Sequence, residues 1–375
     1  MEPRIYLDNN ASTPLDPRVI EKIRDSLPIL IGNPSSTHFF GQKARNLVNQ
    51  SRSVIAAFLR VKPQELIFTS GGTEGINMAI LGMLSSMPPC HIITSAAEHS
   101  AVIAAVKHLE TKGCSVSYLP PGLHGAVTPE AVLEAIRPDT KLITLMAVNN
   151  ETGVKTDIAA IGAIANKHGI PFVVDAISLL GKELFDVPLG VSAMVFGGHK
   201  LHALQGVGLN NIRSGVKLQP LIMGGEQEFG RRAGTENVLG IISLAKAVEL
   251  LSIELPEASI RMQVMRDKFE SMLLESLPDL VINGEGPRTV NVSNIAFPGI
   301  DGEALLMALD RAGVAASHGS ACSSGGLEPS RVLLSMGIPL ELVRGSVRFS
   351  LSRMTTDEEI ERACEIILDS VKRMR

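Results

Sequence analysis

The chain has 375 residues, enough for two or three domains at about 150 each, and its 45% hydrophobic and 20% charged content excludes intrinsic disorder. Thirty-five basic against 39 acidic residues leave a net charge of −4, and aromatics make up 3% with no Trp, so direct binding of nucleic acid or anionic lipid is not expected. Four cysteines (Cys90, Cys114, Cys322 and Cys364) without a CxxC pair exclude a secreted disulfide framework and a thiolate zinc site.

Met1-Glu2-Pro3-Arg4 opens without the basic and apolar regions of a signal peptide, and no apolar run approaches the ~18–20 residues of a bilayer span. A cytoplasmic protein away from membranes is expected. Glu65–Ser70 reads as a short apolar strand, followed by Gly71-Gly72 and a helix from about Thr73 with Ile76, Ile80, Met83 and Leu84 on one face. Strand His91–Ser95, a helix from about His99 to Lys112, strand Leu142–Val148 and a helix from about Asp157 to His168 continue the alternation. Strands Pro171–Ala176 and Ala193–Gly197 follow. Continuous Val/Ile/Leu/Phe runs separated by helices indicate a mostly parallel sheet covered on both faces.

After Gly234 two helices are expected, Glu236–Ile253 and Pro256–Ser276, broken near Leu255-Pro256 because proline cannot donate to the helix ladder. Strand Thr289–Phe297, a helix after Asp301, a short strand near Val314–Ser317, strand Ser346–Leu351 and a helix from about Thr356 complete the chain. The expected organisation is α/β. Residues 15–254 form a large domain, and residues 255–375 with residues 1–14 form a smaller α+β domain.

In open α/β sheets ligands sit beyond the carboxyl ends of strands, and several polar groups fall there. Ser70-Gly71-Gly72-Thr73-Glu74 joins a strand to a helix, where free N–H groups and the helix dipole favour an anion; strand-to-helix turns also carry Gly-Gly for steric reasons alone. Asp175 closes Phe172-Val173-Val174, a position that equally suits a helix cap. Lys200 ends Val195-Phe196-Gly197-Gly198-His199. A lysine there is ordinarily a surface residue, but beside an apolar strand and His199 its amine also suits Schiff-base chemistry. An acid and a lysine at neighbouring strand ends suit pyridoxal phosphate, whose chemistry needs a lysine on the aldehyde and a carboxylate at the ring nitrogen.

Longer motifs extend this pattern along the whole chain. They include Tyr6-Leu7-Asp8-Asn9-Asn10-Ala11, Gly32-Asn33-Pro34-Ser35-Ser36, Thr69–Gly75 and Asn149-Asn150-Glu151-Thr152-Gly153. Gly198-His199-Lys200, Gly234-Thr235-Glu236-Asn237, Gly319-Ser320-Ala321-Cys322 and Ser346-Val347-Arg348-Phe349-Ser350 follow in order. In these the chain resembles the cysteine desulfurases of the NifS/IscS type, within the class-V aminotransferase family and the fold-type I pyridoxal-phosphate enzymes. The resemblance implies a large domain with a mostly parallel, seven-stranded type of sheet between helices, a smaller C-terminal domain, and a homodimer. It also implies pyridoxal 5'-phosphate as cofactor.

Carried over residue by residue, it makes Lys200 the cofactor-bearing lysine, Asp175 the partner of the ring nitrogen, and His99 the group that lies over the ring and assists proton transfer. Gly72, Thr73 and His199 would hold the phosphate, Thr235 would complete that cup from the other subunit, and Ser178 would face the ring oxygen. Asn150 would lie near ring and substrate, Asn33 on the substrate side, and Arg348 would fork onto the substrate carboxylate. Cys322, flanked by small residues, would be the thiolate that takes sulfur from L-cysteine as a persulfide, leaving L-alanine. The sulfur would pass to a protein acceptor, an iron–sulfur scaffold or a tRNA-thiolation relay. Cys114, alternating with Val116 and Tyr118, and Cys364, on the face of Ile360, Ile367 and Val371, read as core residues, while Cys90 has no assigned role. No metal is expected: His199, His202 and His318 lack further ligands at suitable spacing and read as a cofactor contact, a loop residue and a solvent-facing residue.

The chain departs from the family pattern at three places around the cofactor. Ser178 stands where a glutamine is usual and Gly197 where a serine is usual. Ala203-Leu204-Gln205-Gly206 replaces Gly-Pro-Lys/Arg-Gly. At about 1 kcal/mol per lost hydrogen bond these changes would loosen the cofactor by roughly one or two decades. Two other functions compete: a related pyridoxal-phosphate enzyme such as a selenocysteine lyase or aminotransferase, and a non-catalytic binding subunit. Turnover of L-cysteine with and without Cys322 separates the three.

Overall fold

The computed structural model describes residues 4–319 and 328–375; Cys322 lies outside the described residues. Among these a seven-stranded sheet runs in the spatial order Leu66–Thr69, Gly208–Ile212, Ala193–Gly197, Phe172–Asp175, Thr140–Met146, His91–Ser95, Ser115–Leu119. Neighbours are parallel except at Gly208–Ile212, which runs against both its partners. The unbroken apolar runs follow from burial on both faces. Phe172 and Val174 enter one core while Val173 enters the core on the opposite side, and Ile93 and Ile92 divide in the same way. Gly208–Ile212 is not foreseen from the sequence because Asn210 and Asn211 break its pattern. Asn210 is buried nonetheless, and its Nδ2 donates to the Gly75 carbonyl at 2.9 Å, tying the strand to the helix Gly72–Leu84.

A second core lies around the antiparallel sheet Ser346–Ser350, Val292–Ala296, Val281–Ile282 and the parallel pair Ile5–Tyr6 with Val314–Ala315. Helices Gly302–Ala312 and Asp357–Met374 pack on it, started by the side-chain caps of Asp301 and Thr356.

The expected break at Pro256 does not occur: one helix runs Val238–Ser276 with the proline inside it. Its first part buries Ile241, Leu244, Val248, Leu251 and Leu255 in the large core, and its second part buries Met262, Met265, Phe269 and Leu273 in the small one. A mid-helix proline costs about 3 kcal/mol, whereas each such side chain contributes about 1.5–3 kcal/mol on burial, so packing at both ends outweighs the lost hydrogen bond. The helix is therefore a beam shared by the two cores.

Phe269 is fully buried on that beam with its ring centroid 5.1 Å from that of Phe349. Phe269→Ala is expected to destabilise the protein by about 3–5 kcal/mol, read as a lower urea midpoint.

Candidate active site

The carboxyl ends of five strands open on one edge of the large sheet, and the segments that leave them line a cavity of about 180 Å³. Gly72, Thr73, His99, Asn150, Asp175, Ser178, His199, Lys200 and Arg348 all contribute to its wall. Asn10, Ala11, Met146, Val148 and Ile177 complete it, without a role foreseen from the sequence. The apolar ones carry no chemical signature in a sequence. Asn10 and Ala11 stand within the motif of residues 6–11, the signal that the sequence carries for them.

Each polar group is held by the element that presents it. Strand Phe172–Asp175 ends on the carboxylate, whose Oδ1 accepts the Ile177 N–H at 3.0 Å. Burial pushes the Asp175 carboxyl up, against the opposing pull of His99, the Ile177 N–H and Lys200. Lys200 closes the single turn Gly198–Lys200 directly after strand Ala193–Gly197, and its Nζ donates to the Asn10 carbonyl. His99 caps helix Ser100–Glu110: its Nδ1 accepts the Ala101 N–H at 3.1 Å, which assigns the ring proton to Nε2. Burial lowers the affinity of that imidazole for a second proton, with Lys200 and Arg331 adding to the effect and Asp175 opposing it.

Arg348 comes from the other core, in the middle of strand Ser346–Ser350, and is 1% exposed. Its Nη2 donates to Asp8 Oδ1 and its Nη1 to the Asn150 carbonyl, both at 2.8 Å. Arg348 Nε and Asn150 Oδ1 are buried without a hydrogen-bond partner among the described residues. Leaving such groups unmet costs about 1–3 kcal/mol each, so two residues of the cavity wall keep unused hydrogen-bonding capacity at this end.

At the opposite end the helix Gly72–Leu84 begins with Gly71 as its cap, and Gly71 makes no side-chain cap bond. A Cβ on Gly72 would lie 2.1 Å from Ile177 Cδ1, so a larger residue here would have to displace that side chain from the cavity wall. Uncapped N–H groups on a 13-residue helix suit a phosphate. An amine, a carboxylate, an imidazole and an anion cradle around one cavity form the donor set that a phosphorylated pyridine aldehyde needs, so the residues present fit pyridoxal phosphate.

Two predicted residues lie elsewhere on the chain. Asn33 is exposed, its Oδ1 accepting the Ser35 N–H at 2.8 Å, and it does not line the cavity. Thr235 is exposed beside Ser70, Gly206 and Arg232, on the wall of a separate cavity of about 110 Å³. Cys322 lies outside the described residues.

One histidine expectation needs correction. His318 is half-buried, not solvent-facing, with Nδ1 2.6 Å from the Ser346 carbonyl oxygen. His202 does occupy a loop but is 2% exposed, its Nδ1 2.7 Å from the Pro14 carbonyl oxygen. Cys364 is buried, Cys90 is buried too, and Cys114 is half-buried with its sulfur 4.0 Å from that of Cys90.

The chain matches the family described as Aminotransferase class-V over residues 5–363. It is 44% identical to a cysteine desulfurase of Nostoc sp., over 99% of this chain and 94% of that protein. A solved NifS-like protein superposes with a TM-score of 0.91 at 34% identity, covering 98% of each chain. A structure described as SspA in complex with cysteine gives 0.84 at 32% identity, over 94% of this chain and 100% of that one.

Burial holds His199 down to about 4, helped by Lys200 and His99, and holds His202 down to about 3, helped by Lys182 and Arg353. Unfolded histidine takes up its proton near 6.5, so the stability these two neutral rings contribute is complete above that pH and is lost as pH falls toward 4 and below. His202 sits at φ +66°, which asparagine tolerates. His202→Asn is expected to flatten the fall in Tm between pH 6.5 and 4, measured by calorimetry.

Proposed function

The chain belongs to the class-V aminotransferase family and is a cysteine desulfurase; from that premise we propose how its residues divide the work. The carrying observation is that Lys200, Asp175 and His99 from three strand ends and Arg348 from the second core meet in one cavity. The Lys200 amine would hold pyridoxal phosphate, which when bound would supply an electron sink for the substrate's bonding electrons. The helix N-terminus at Gly72 and Thr73, with His199, would hold the phosphate, and Asp175 would hold the proton on the ring nitrogen.

Arg348 binds the carboxylate of L-cysteine through the edge that Asp8 and Asn150 leave open. His99 passes protons at Nε2, the atom its cap bond leaves protonated. Cys322 then attacks the substrate sulfur as a thiolate. The S–S bond forms as the C–S bond breaks, the electron pair stays with carbon, and a proton there completes L-alanine. The persulfide on Cys322 passes to a protein acceptor. Thr235, exposed and outside its own cavity, reaches the phosphate of a second subunit in a homodimer. Exposed Phe39, Phe40, Met223 and Phe229 supply apolar surface for that contact.

Three experiments test the scheme. Incubated with L-cysteine and a thiol, the wild type is expected to release alanine and sulfide in step, and Cys322→Ala to release neither; sulfide persisting in the variant would remove Cys322 from the reaction. His99→Gln is expected to lower kcat roughly 10²–10⁴-fold, the usual contribution of a positioned acid–base group. At Gly197 the backbone is extended, and a Cβ would lie 3.3 Å from His199 Cε1 and 3.4 Å from Ile177 Cγ2, so a serine fits with small adjustment. Gly197→Ser is expected to tighten cofactor binding about tenfold, one hydrogen bond's worth, in equilibrium dialysis.

A further inference from the structure

Lys182 is a lysine 2% exposed, and it forms no ion pair among the described residues. Its Nζ makes one hydrogen bond there, to the Lys200 carbonyl at 3.1 Å. The charged and titratable groups that face it are Lys200, Arg353 and His202, with Asp16 beyond them committed to Arg18 and Arg353. Burial, then the cations of Lys200 and Arg353, bring its amine down to about 7. A side chain that costs this much to bury needs a reason other than filling space, because methionine fills the same space without an amine to desolvate.

The turn 198–202 supplies the reason. The Gly198 carbonyl accepts the N–H groups of Leu201 and Ala203, at 3.0 and 3.3 Å. The His199 carbonyl accepts from Thr13, through N at 2.8 Å and Oγ1 at 2.9 Å, and the His202 carbonyl accepts the Asp16 N–H at 3.2 Å. The Lys200 carbonyl takes its hydrogen bond from Lys182. The approach is close because Gly181 has φ +83°, and a Cβ there would lie 3.3 Å from Leu201 Cβ. Lys182 belongs to the segment that follows Asp175, so one stretch of chain carries the acid and the support of the lysine.

We propose that Lys182 is a positioning residue for Lys200: by holding the Lys200 carbonyl it sets the direction in which the Lys200 side chain enters the cavity. The inference rests on Lys200 as the cofactor-bearing lysine. The test reads that lysine directly. Wild type, Lys182→Met and Lys182→Gln are loaded with pyridoxal phosphate and reduced with borohydride, and the site and rate of cofactor attachment are followed by peptide mass spectrometry. The pH midpoint of the visible band is recorded alongside.

Lys182→Met is expected to attach cofactor at Lys200 about tenfold more slowly, the effect of one lost hydrogen bond, with a shifted midpoint and a kcat lowered more than KM is raised. Lys182→Gln, which keeps a donor, is expected to recover part of the rate, and it carries the test should the Met variant fail to fold. On a Lys200→Ala background, Lys182→Met is expected to leave cofactor affinity within about twofold, since the route through Lys200 is gone. Attachment at the wild-type rate with an unchanged midpoint, even with a lower Tm, would overturn the proposal, as would an equal loss of affinity without Lys200. Attachment of the wild-type cofactor to another lysine would overturn the Lys200 assignment itself, and the proposal with it.

Discussion

The structure depends on one short segment, Asp8–Asp16, that is hydrogen-bonded to both cores. On one side Asn9 and Asn10 bond to Ser350, and Asp8 holds Arg348. On the other, Asn10 accepts from Lys200, and Thr13 and Asp16 hold the turn that carries it. Asp16 is also part of an ion cluster with Arg18, Glu254 and Arg353, of which Asp16 and Arg353 are buried. Burial alone would raise its carboxyl, but the hydrogen bonds from Arg18 and Arg353 outweigh it and hold the group ionised far below the usual carboxylate range. Removing either partner of the buried Asp16–Arg353 pair leaves an uncompensated buried charge, commonly a loss of about 3–5 kcal/mol, so the segment is fixed by strong local bonds. The distance between Lys200 and Arg348 is set through that seam.

Electrostatics around the cavity follow from the same closeness. His99, His199, His202 and Lys182 are all held toward their neutral forms, chiefly by burial, with neighbouring cations adding to the effect and Asp175 opposing it at His99. Behind Asp175, fully buried Glu98 is pushed well above the ordinary range by burial while its Oε1 accepts the Met146 N–H at 3.0 Å. A site that keeps its bases uncharged can move protons near neutral pH without first giving them up to water. Of the three departures from the family pattern, Ser178 lines the cavity wall, Gly197 is buried at the end of its strand, and the third runs from buried Ala203 to exposed Gln205 and Gly206. At Gly197 the backbone is ordinary, so the glycine removes a hydroxyl and leaves the turn unchanged.

Much of the site was legible because chemistry-bearing residues at the ends of apolar strands leave a mark in any sequence. Lys200, Asp175, His99 and Thr73 stand where strand becomes helix, and a parallel sheet brings such ends together. Lys182, Thr13 and Asn10 left no such mark. Two of them act through backbone carbonyls of a turn that no pattern reveals, and Asn10 meets Lys200 across 190 residues of sequence. The antiparallel strand Gly208–Ile212 and the unbroken helix through Pro256 were hidden for a related reason. Local rules for asparagine and proline were outweighed by packing that only the whole fold supplies.

By itself the sequence determined the class of fold, the family, and the residue types brought to the strand ends, since hydrophobic period and motif order are properties of the chain read in line. Tertiary structure decided which of those residues share a cavity, that Asn33 and Thr235 do not join it on their own chain, and that the two cores hang on one helix and one N-terminal segment. The physical reason is distance: burial and hydrogen bonds between segments hundreds of residues apart depend on how the layers pack, and no local spacing encodes that packing.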